Sequence, residues 1–442
     1  MKSEMKLTFS SVAVLAMSLA VPLPAAPAFP LKASADGRYL TDAAGKPFFY
    51  HADTAWALPR NAKLAEAEEY FALRAKEGFT AIHLHAITKE VGPVKNVNGD
   101  APFAPIDDIL KPNEAYWRHV DAVLEAAEKR GLLAAVSALW IRWGGRDKEG
   151  WRNQLTEANA GAYGEFLAKR YAARKNIMWI VGGDDNPHED RAGVALMAQA
   201  LKKSAPHHLI TVHNQPEHSS AAFFANESWL DVNAAYTYRE VAPHVLAEWS
   251  RPYANGKPKP IFLVESGYEH ESNDQRGGAA QRVRRQAYGA ILSGAVMGHA
   301  YGHREVWRFS GKWRDGVADV GSKQMRHVRD LFATRAWWKL RPDTVNELVP
   351  SRVDRVSPGD VNWAAAARAS DGSFAMVYLP TSRPVVVDVQ KIATTSKAAW
   401  FDPTDGSRQP ASGNLWRETS WKEFTPPTKN TGGDADFVLL LE

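Results

Sequence analysis

The chain has 442 residues, with 54 Lys plus Arg against 50 Asp plus Glu and a formal net charge of +4. Its 45% hydrophobic content supplies a packed core and excludes a disordered chain, while so dilute a charge excludes a nucleic-acid binder. Cysteine is absent, which removes disulfides, thiol nucleophiles and thiolate metal sites together. Lys2 and Lys6 precede an apolar stretch from Leu7 to Leu23, and Ala26-Pro27-Ala28 offers small residues for cleavage. Residues 1–28 therefore read as a signal peptide rather than a membrane anchor, for which the stretch is short. Export without cysteine suits a periplasmic or secreted protein of a Gram-negative bacterium, away from the membrane once the signal is removed.

A regular alternation follows. Buried-strand runs fall at Phe48 to Ala52, Thr80 to Leu84, Leu132 to Ser137, Ile177 to Val181, Leu209 to Val212, Leu230 to Ala234, Ile261 to Val264 and Gly298 to Tyr301. Helical patterns separate them, among them Leu64 to Lys76, Tyr116 to Arg130, Ala160 to Tyr171 and Gln281 to Met297, and Lys323 to Leu340 closes the series. Short apolar strands alternating with helices in this way predict a (β/α)8 TIM barrel over residues 29–343. A doubly wound open sheet is the alternative, but no Gly-rich phosphate loop follows the first strand. Arg341-Pro342-Asp343 is read as the stop of the last helix, since proline cannot continue it. Beyond it, short strand-like runs at Phe374 to Leu379, Val385 to Val389, Ala398 to Phe401 and Phe437 to Leu441 are separated by turn signals. Residues 344–442 are thus expected to form a small all-β sandwich. All 14 histidines lie between His51 and His327, so histidine is confined to the predicted barrel.

In a barrel, reactive side chains emerge at the carboxyl ends of the strands. The fourth strand runs into Gly182-Gly183-Asp184-Asp185, and the seventh ends at Glu265-Ser266-Gly267. An acid that terminates a buried apolar strand is costly unless it faces a polar cavity. Two such acids across one barrel mouth are what glycoside hydrolysis needs, one protonated to donate to the leaving oxygen and one ionised. The competing reading makes Asp184 a helix cap and pairs Glu265 with an arginine; Asp185 is read as a loop or capping acid.

Several stretches together carry a resemblance: Ala52-Asp53-Thr54-Ala55-Trp56, Lys76-Glu77-Gly78-Phe79-Thr80, Pro112 to Trp117, Trp179 to Asp184, Glu265-Ser266-Gly267, Gly298 to His303 with Trp307, and Trp337 to Leu340. With Val377 to Pro380, Trp400 to Pro403, Phe424 to Pro427 and Asp436 to Leu439, the chain resembles the apiosidase-like glycoside hydrolase family, whose barrel often carries a collagen-binding-type C-terminal module. The resemblance implies a retaining β-glycosidase acting on plant cell-wall (pectic) side chains, apiose being the known sugar, with Asp184 as general acid/base and Glu265 as nucleophile. No cofactor is expected, and the expected partner is an oligosaccharide or polysaccharide. The chain departs from the family pattern at His83 and His85, at His213-Asn214-Gln215-Pro216, which lacks the usual glycine- and serine-rich form, and at the doubled acid Asp185. These departures bear on the substrate more than on the reaction, leaving an arabinofuranosidase or endo-glucanase specificity, or a non-catalytic carbohydrate-binding protein, as alternatives.

Candidate substrate-binding residues are Asp53, Trp56, His85, Trp140, His213, Tyr236, His299, Tyr301, His303 and Trp307. Asp53 is expected to hold a substrate hydroxyl, with a structural cap as its alternative. Trp140, Trp143 and Trp307 sit at strand ends, where indole faces stack on sugar rings, whereas Trp179 and Trp337-Trp338 belong to the core. Tyr236 and Tyr238 are expected to line the pocket. Arg142 and Arg146 either meet acidic sugars or are solvated loop charges. His83 and His85 alternate along one strand and face one way; a metal pair needs further ligands on later strands, so hydrogen bonding to hydroxyls is preferred and no metal site is expected. His213, His299 and His303 either touch substrate or satisfy buried polar groups.

Overall fold

A computed structural model describes residues 26–89, 94–142, 150–188, 190–271, 279–350, 357–393, 397–415 and 420–442. The first 25 residues of the expected signal segment lie outside the described residues. A ribbon of three two-residue antiparallel strands, ending at Pro47–Phe48, leads into the barrel. Its strands are β1 (Tyr50–Thr54), β2 (Ala81–His85), β3 (Leu133–Ser137), β4 (Ile177–Gly182), β5 (Leu209–His213), β6 (Asn233–Tyr236), β7 (Ile261–Glu265) and β8 (Gly298–Gly302). Neighbours run β5-β4-β3-β2-β1-β8-β7-β6, all parallel. The ends of that order meet where Asp231 N–H donates to the Ile210 carbonyl at 3.0 Å and the Thr211 hydroxyl to the Val232 carbonyl at 2.9 Å. Around the sheet lie α1 (Leu64–Glu77), α2 (Glu114–Lys129), α3 (Glu157–Tyr171), α4 (Arg191–Ser204), α5 (Val241–Trp249), α6 (Ala279–Leu292) and α7 (Val320–Ala333).

Each barrel strand is buried on both faces, which is why it reads as an apolar run rather than an alternation. Tyr50, Ala52, Ala81, Ala135, Met178, Ile180, Ala234, Phe262 and Ala300 fill the interior. The opposite set, including Ile82, Leu84, Val136, Trp179, Val181 and Val212, packs against the helices. One irregularity matters for function. Leu263 pairs with Ala235, but Glu265 pairs with Tyr236, so the register slips between Leu263 and Glu265. Strict alternation from inward-facing Phe262 would turn Glu265 outward; the slip aims it at the mouth.

The C-terminal part is a sandwich of two antiparallel sheets. Its strands are β9 (Leu340–Pro342), β10 (Ala365–Ala369), β11 (Ala375–Leu379), β12 (Val385–Asp388), β13 (Ala398–Phe401), β14 (Arg408–Pro410), β15 (Gly413–Leu415), β16 (Trp421–Phe424) and β17 (Phe437–Leu441). They order as β9-β10-β11-β17-β13-β14 and β12-β16-β15. Along β11, Val377 and Leu379 face the smaller sheet, while Met376 and Tyr378 face the barrel helices. Arg284 of α6 is fully buried and donates to both carboxylate oxygens of Asp436, at 2.9 and 2.7 Å, and to Asp434 at 2.7 Å. Tyr378 stacks on Tyr288 of α6 at 5.1 Å between centroids. The larger sheet is therefore joined to the barrel by an apolar face with a buried ion pair in it.

One expected boundary moves. The last barrel helix ends at Ala333, not Leu340, and residues 340–342 pair with 367–369 at the edge of the C-terminal sheet. Pro342 thus occupies an edge strand, where its missing N–H is tolerated, and is not a helix stop. The sandwich begins at Leu340 rather than residue 344.

Candidate active site

The fourth-strand acid is placed by its glycines. Gly182 and Gly183 have φ of 80° and 143°. A Cβ on Gly182 would lie 2.7 Å from the His213 carbonyl oxygen, and one on Gly183 would lie 2.5 Å from Trp140 Cδ2. The backbone therefore passes between β5 and Trp140 where no side chain fits. Asp184 follows at φ 39°, a left-handed conformation that stores about 1–3 kcal/mol in a residue other than glycine. Its side chain turns to the barrel mouth, where the Tyr236 hydroxyl donates to Asp184 Oδ1 at 2.8 Å and lies 3.4 Å from Glu265 Oε1. Tyr238 donates to the same Glu265 oxygen at 2.8 Å, and His213 Nε2 stands 3.3 Å from Glu265 Oε2.

The two acids sit in different fields. Burial, reinforced by the negative charge of Glu265, pushes Asp184 up to about 7, while His213 and the Tyr236 hydrogen bond pull it back. Burial raises the Tyr236 and Tyr238 phenols well above their ordinary range, with the two carboxylates adding to it, so both remain neutral donors. Burial likewise lowers His83 to about 3 and His85 well below its usual value. The pocket therefore holds neutral His83 and His85, neutral phenols and one acid, Asp184, that keeps its proton up to about pH 7.

Aromatic side chains form the walls. Trp56 stacks on His85 at 4.7 Å and its indole N–H donates to the Tyr268 hydroxyl at 2.9 Å. Trp140 lies 4.6 Å from His85 and 4.8 Å from His213. Trp307 donates to Glu271 Oε1 at 2.9 Å. Beside them is unused hydrogen-bonding capacity. Both His85 ring nitrogens, Ser137 Oγ and Trp140 Nε1 are buried without a protein partner among the described residues. Other buried polar atoms are also unpartnered, Trp151 Nε1 and Trp229 Nε1 among them, but this set is grouped beside the two carboxylates, where it is suited to the hydroxyls of a ligand.

The structure thus gathers Asp184, Glu265, Trp56, His85, Trp140, His213, Tyr236, Tyr238 and Trp307 around one mouth. Four expected substrate contacts are corrected. Asp53 faces the helices: it is fully buried and takes Tyr70 OH at 2.5 Å, Arg74 Nε at 2.6 Å and Thr54 N–H at 2.8 Å. His299 and Tyr301 lie in register beside His51 and Asp53 and share that outward parity. His299 bonds to His51 at 2.9 Å, and Tyr301 donates to the buried carboxylate of Glu269. His303 caps the short helix Arg304–Trp307 through Nδ1, which accepts from Glu305 N–H at 3.1 Å. Asp185 is ion-paired with Arg142 at 3.0 Å, so Arg142 is a loop partner of that acid. Trp143 and Arg146 lie outside the described residues.

Two residues escaped the sequence reading. Tyr268 and Glu271 follow Glu265 in the same loop, and the acid- and aromatic-rich run Glu265-Ser266-Gly267-Tyr268-Glu269-His270-Glu271 was the available signal. Burial raises Glu271, with the charge of Glu265 adding to it and the Trp307 hydrogen bond opposing. Among the described residues His270, His303 and Asp319 bring ligand-type atoms within 4.8 Å of one another. His303 Nδ1 is an acceptor there, so its Nε2 carries the proton shared with Asp319 Oδ2 at 3.3 Å. That trio is a hydrogen-bonded cluster, with no lone pair of His303 left to bind a cation.

Two carboxylates facing each other across the mouth of a (β/α)8 barrel, Asp184 raised toward neutrality by burial, between indole walls, define a glycoside hydrolase. The family model described as "Apiosidase-like, catalytic domain" matches residues 34–339, and one described as "Putative collagen-binding domain of a collagenase" matches residues 356–442. The chain belongs to the apiosidase-like family. A solved structure titled "Glycoside hydrolase" is 25% identical, with a TM-score of 0.80 over 93% of this chain and 96% of its own. A glycoside hydrolase family 5 structure from Bacteroides vulgatus shares the fold at 24% identity and a TM-score of 0.78, covering 93% of both chains. No curated protein sequence matches this chain.

Proposed function

We propose that this protein is an exported glycoside hydrolase that cleaves a glycosidic bond in plant cell-wall (pectic) side chains by a retaining mechanism. The observation that carries the reading is the Tyr236 hydroxyl held between Asp184 and Glu265. Its two contacts, 2.8 and 3.4 Å, bound the separation of those carboxylate oxygens at about 6 Å. Retention needs carboxyl groups about 5–5.5 Å apart, and inversion about 6.5–9.5 Å to admit a water. In the first step Asp184 gives its proton to the glycosidic oxygen as a Glu265 oxygen attacks the anomeric carbon. The carbon–oxygen bond to the leaving group breaks and a glycosyl ester forms. In the second step ionised Asp184 takes a proton from water, the hydroxide displaces Glu265, and Asp184 is protonated again. Trp56, Trp140 and Trp307 support the sugar faces, and the unpaired atoms of His85, Ser137 and Trp140 take its hydroxyls.

A panel of aryl glycosides and pectic side-chain oligosaccharides tests the reading. Hydrolysis of an apiose-terminated substrate is expected. Cleavage confined to arabinofuranosides or to internal glucan bonds would reassign the specificity, and binding without turnover would refute catalysis. For the C-terminal sandwich we propose structural support of α6 and α7, consistent with its buried Arg284–Asp436 contact.

A further inference from the structure

We propose that His213 is an imidazolium in the resting protein and acts as a positioning cation that donates its Nε2 proton to Glu265. This rests on the reading of Glu265 as nucleophile. His213 ends β5 and is fully buried. Its Nδ1 lies 3.0 Å from the Asn214 carbonyl oxygen, which can only accept, so Nδ1 carries a proton. A neutral ring would then direct the Nε2 lone pair at Glu265 Oε2, 3.3 Å away, setting lone pair against lone pair. A second proton relieves the contact. It belongs to His213 because the other Glu265 oxygen already accepts from Tyr238 and faces Tyr236, and donors favour the carboxylate form.

The surroundings suit a cation. Tyr236 and Trp140 rings lie 4.6 and 4.8 Å from the imidazole, within the range where aromatic rings attract positive charge. The titratable groups that face it are Glu265 from β7, Asp184 after β4, Tyr236 from β6, and His83 and His85 from β2. Both of those histidines are held neutral by burial, so no second cation among them competes. The charge count stays constant through the reaction. At rest Asp184 is protonated, Glu265 is negative and His213 positive. In the glycosyl ester Glu265 is neutral, Asp184 is negative and His213 is still positive. One fixed cation therefore serves whichever acid is ionised, and its pull on Asp184 is felt in the unliganded site.

Ring-15N-histidine labelling of the full chain tests this at pH 7, with the His213 resonances identified by their loss in His213→Gln. Imidazolium-type shifts for both ring nitrogens are expected in the unaltered protein, and an Nε2 shift of the unprotonated type in Glu265→Gln. An unprotonated Nε2 in the unaltered protein, or an imidazolium that persists unchanged in Glu265→Gln, would overturn the proposal. On a hydrolysed glycoside, His213→Gln is expected to lower kcat roughly 10²-fold and to move the alkaline fall in rate to higher pH. An unmoved pH profile would contradict it. The spectrum reads charge whether or not a glycoside is cleaved, so failure of the glycosidase reading and failure of this one give different results.

Discussion

Asp53 and Asp184 stand at the carboxyl ends of β1 and β4, yet their carboxylates have opposite fates. On the outer wall of the barrel, acids are saturated. Asp53 is filled by Arg74, Tyr70 and Thr54 N–H, and Glu269 by Tyr301 with the N–H groups of Gly321 and Ser322 at 2.8 and 3.1 Å. At the inner mouth, Asp184 has one phenol donor and is pushed toward neutrality, while the imidazole, hydroxyl and indole of His85, Ser137 and Trp140 keep unpaired atoms. For these carboxylates, a structural role uses up the acceptor oxygens and the mouth leaves them open. Residue type and strand position do not separate the two cases, but the state of the acceptors does.

Substitutions should divide along that line. Asp184→Asn is expected to reduce kcat about 10²–10⁴-fold, and Glu265→Gln at least as much, with circular dichroism and melting cooperativity preserved. Activity within a few-fold of the original in either variant would place the chemistry elsewhere. Asp53→Asn should do the reverse. It leaves the buried Arg74 guanidinium with Glu77, at 2.8 Å, as its remaining carboxylate partner, a loss of up to about 3–5 kcal/mol in urea unfolding, with kcat per folded molecule retained. A stable but inactive Asp53→Asn protein would move Asp53 to the substrate side of the comparison.

A smaller effect follows from pH. The native site raises Asp184 from 3.8 to about 7, so between those values the folded protein binds more protons than the unfolded chain. Stability therefore falls as pH rises through that window, and the deficit persists above it. Asp184→Asn removes the deficit, so the gain in Tm should be larger at pH 8 than at pH 4. Acid catalysis needs the protonated form, so the rate should fall as pH rises through about 7. The smallest change is predicted for His303→Asn. Asparagine caps helices well, so rate and stability should stay within about twofold and 0.5 kcal/mol; a large rise in KM would restore His303 to the substrate.

The barrel and its two acids were legible because each strand ends in a local signal: the Gly182-Gly183 bend before Asp184, and an acid closing the apolar run at Glu265. Parity was not legible. With both faces of every strand buried, the sequence at β1 and β8 does not say whether Ala52 and Ala300 or Asp53 and Tyr301 point inward. That ambiguity produced the expected roles of Asp53, His299 and Tyr301. The register slip before Glu265 is equally silent, since it arises from pairing with β6 and not from a residue that marks it. Pro342 misled for a similar reason: proline ends a helix and tolerates a sheet edge equally well, and only pairing with β10 separates the two.

The central claim is double displacement between Asp184 and Glu265, and proton NMR of the first sugar released from a hydrolysed aryl β-glycoside tests it most directly. The account predicts that the β-anomer appears first and then mutarotates, and that Glu265→Gln forms none. Initial appearance of the α-anomer would contradict it.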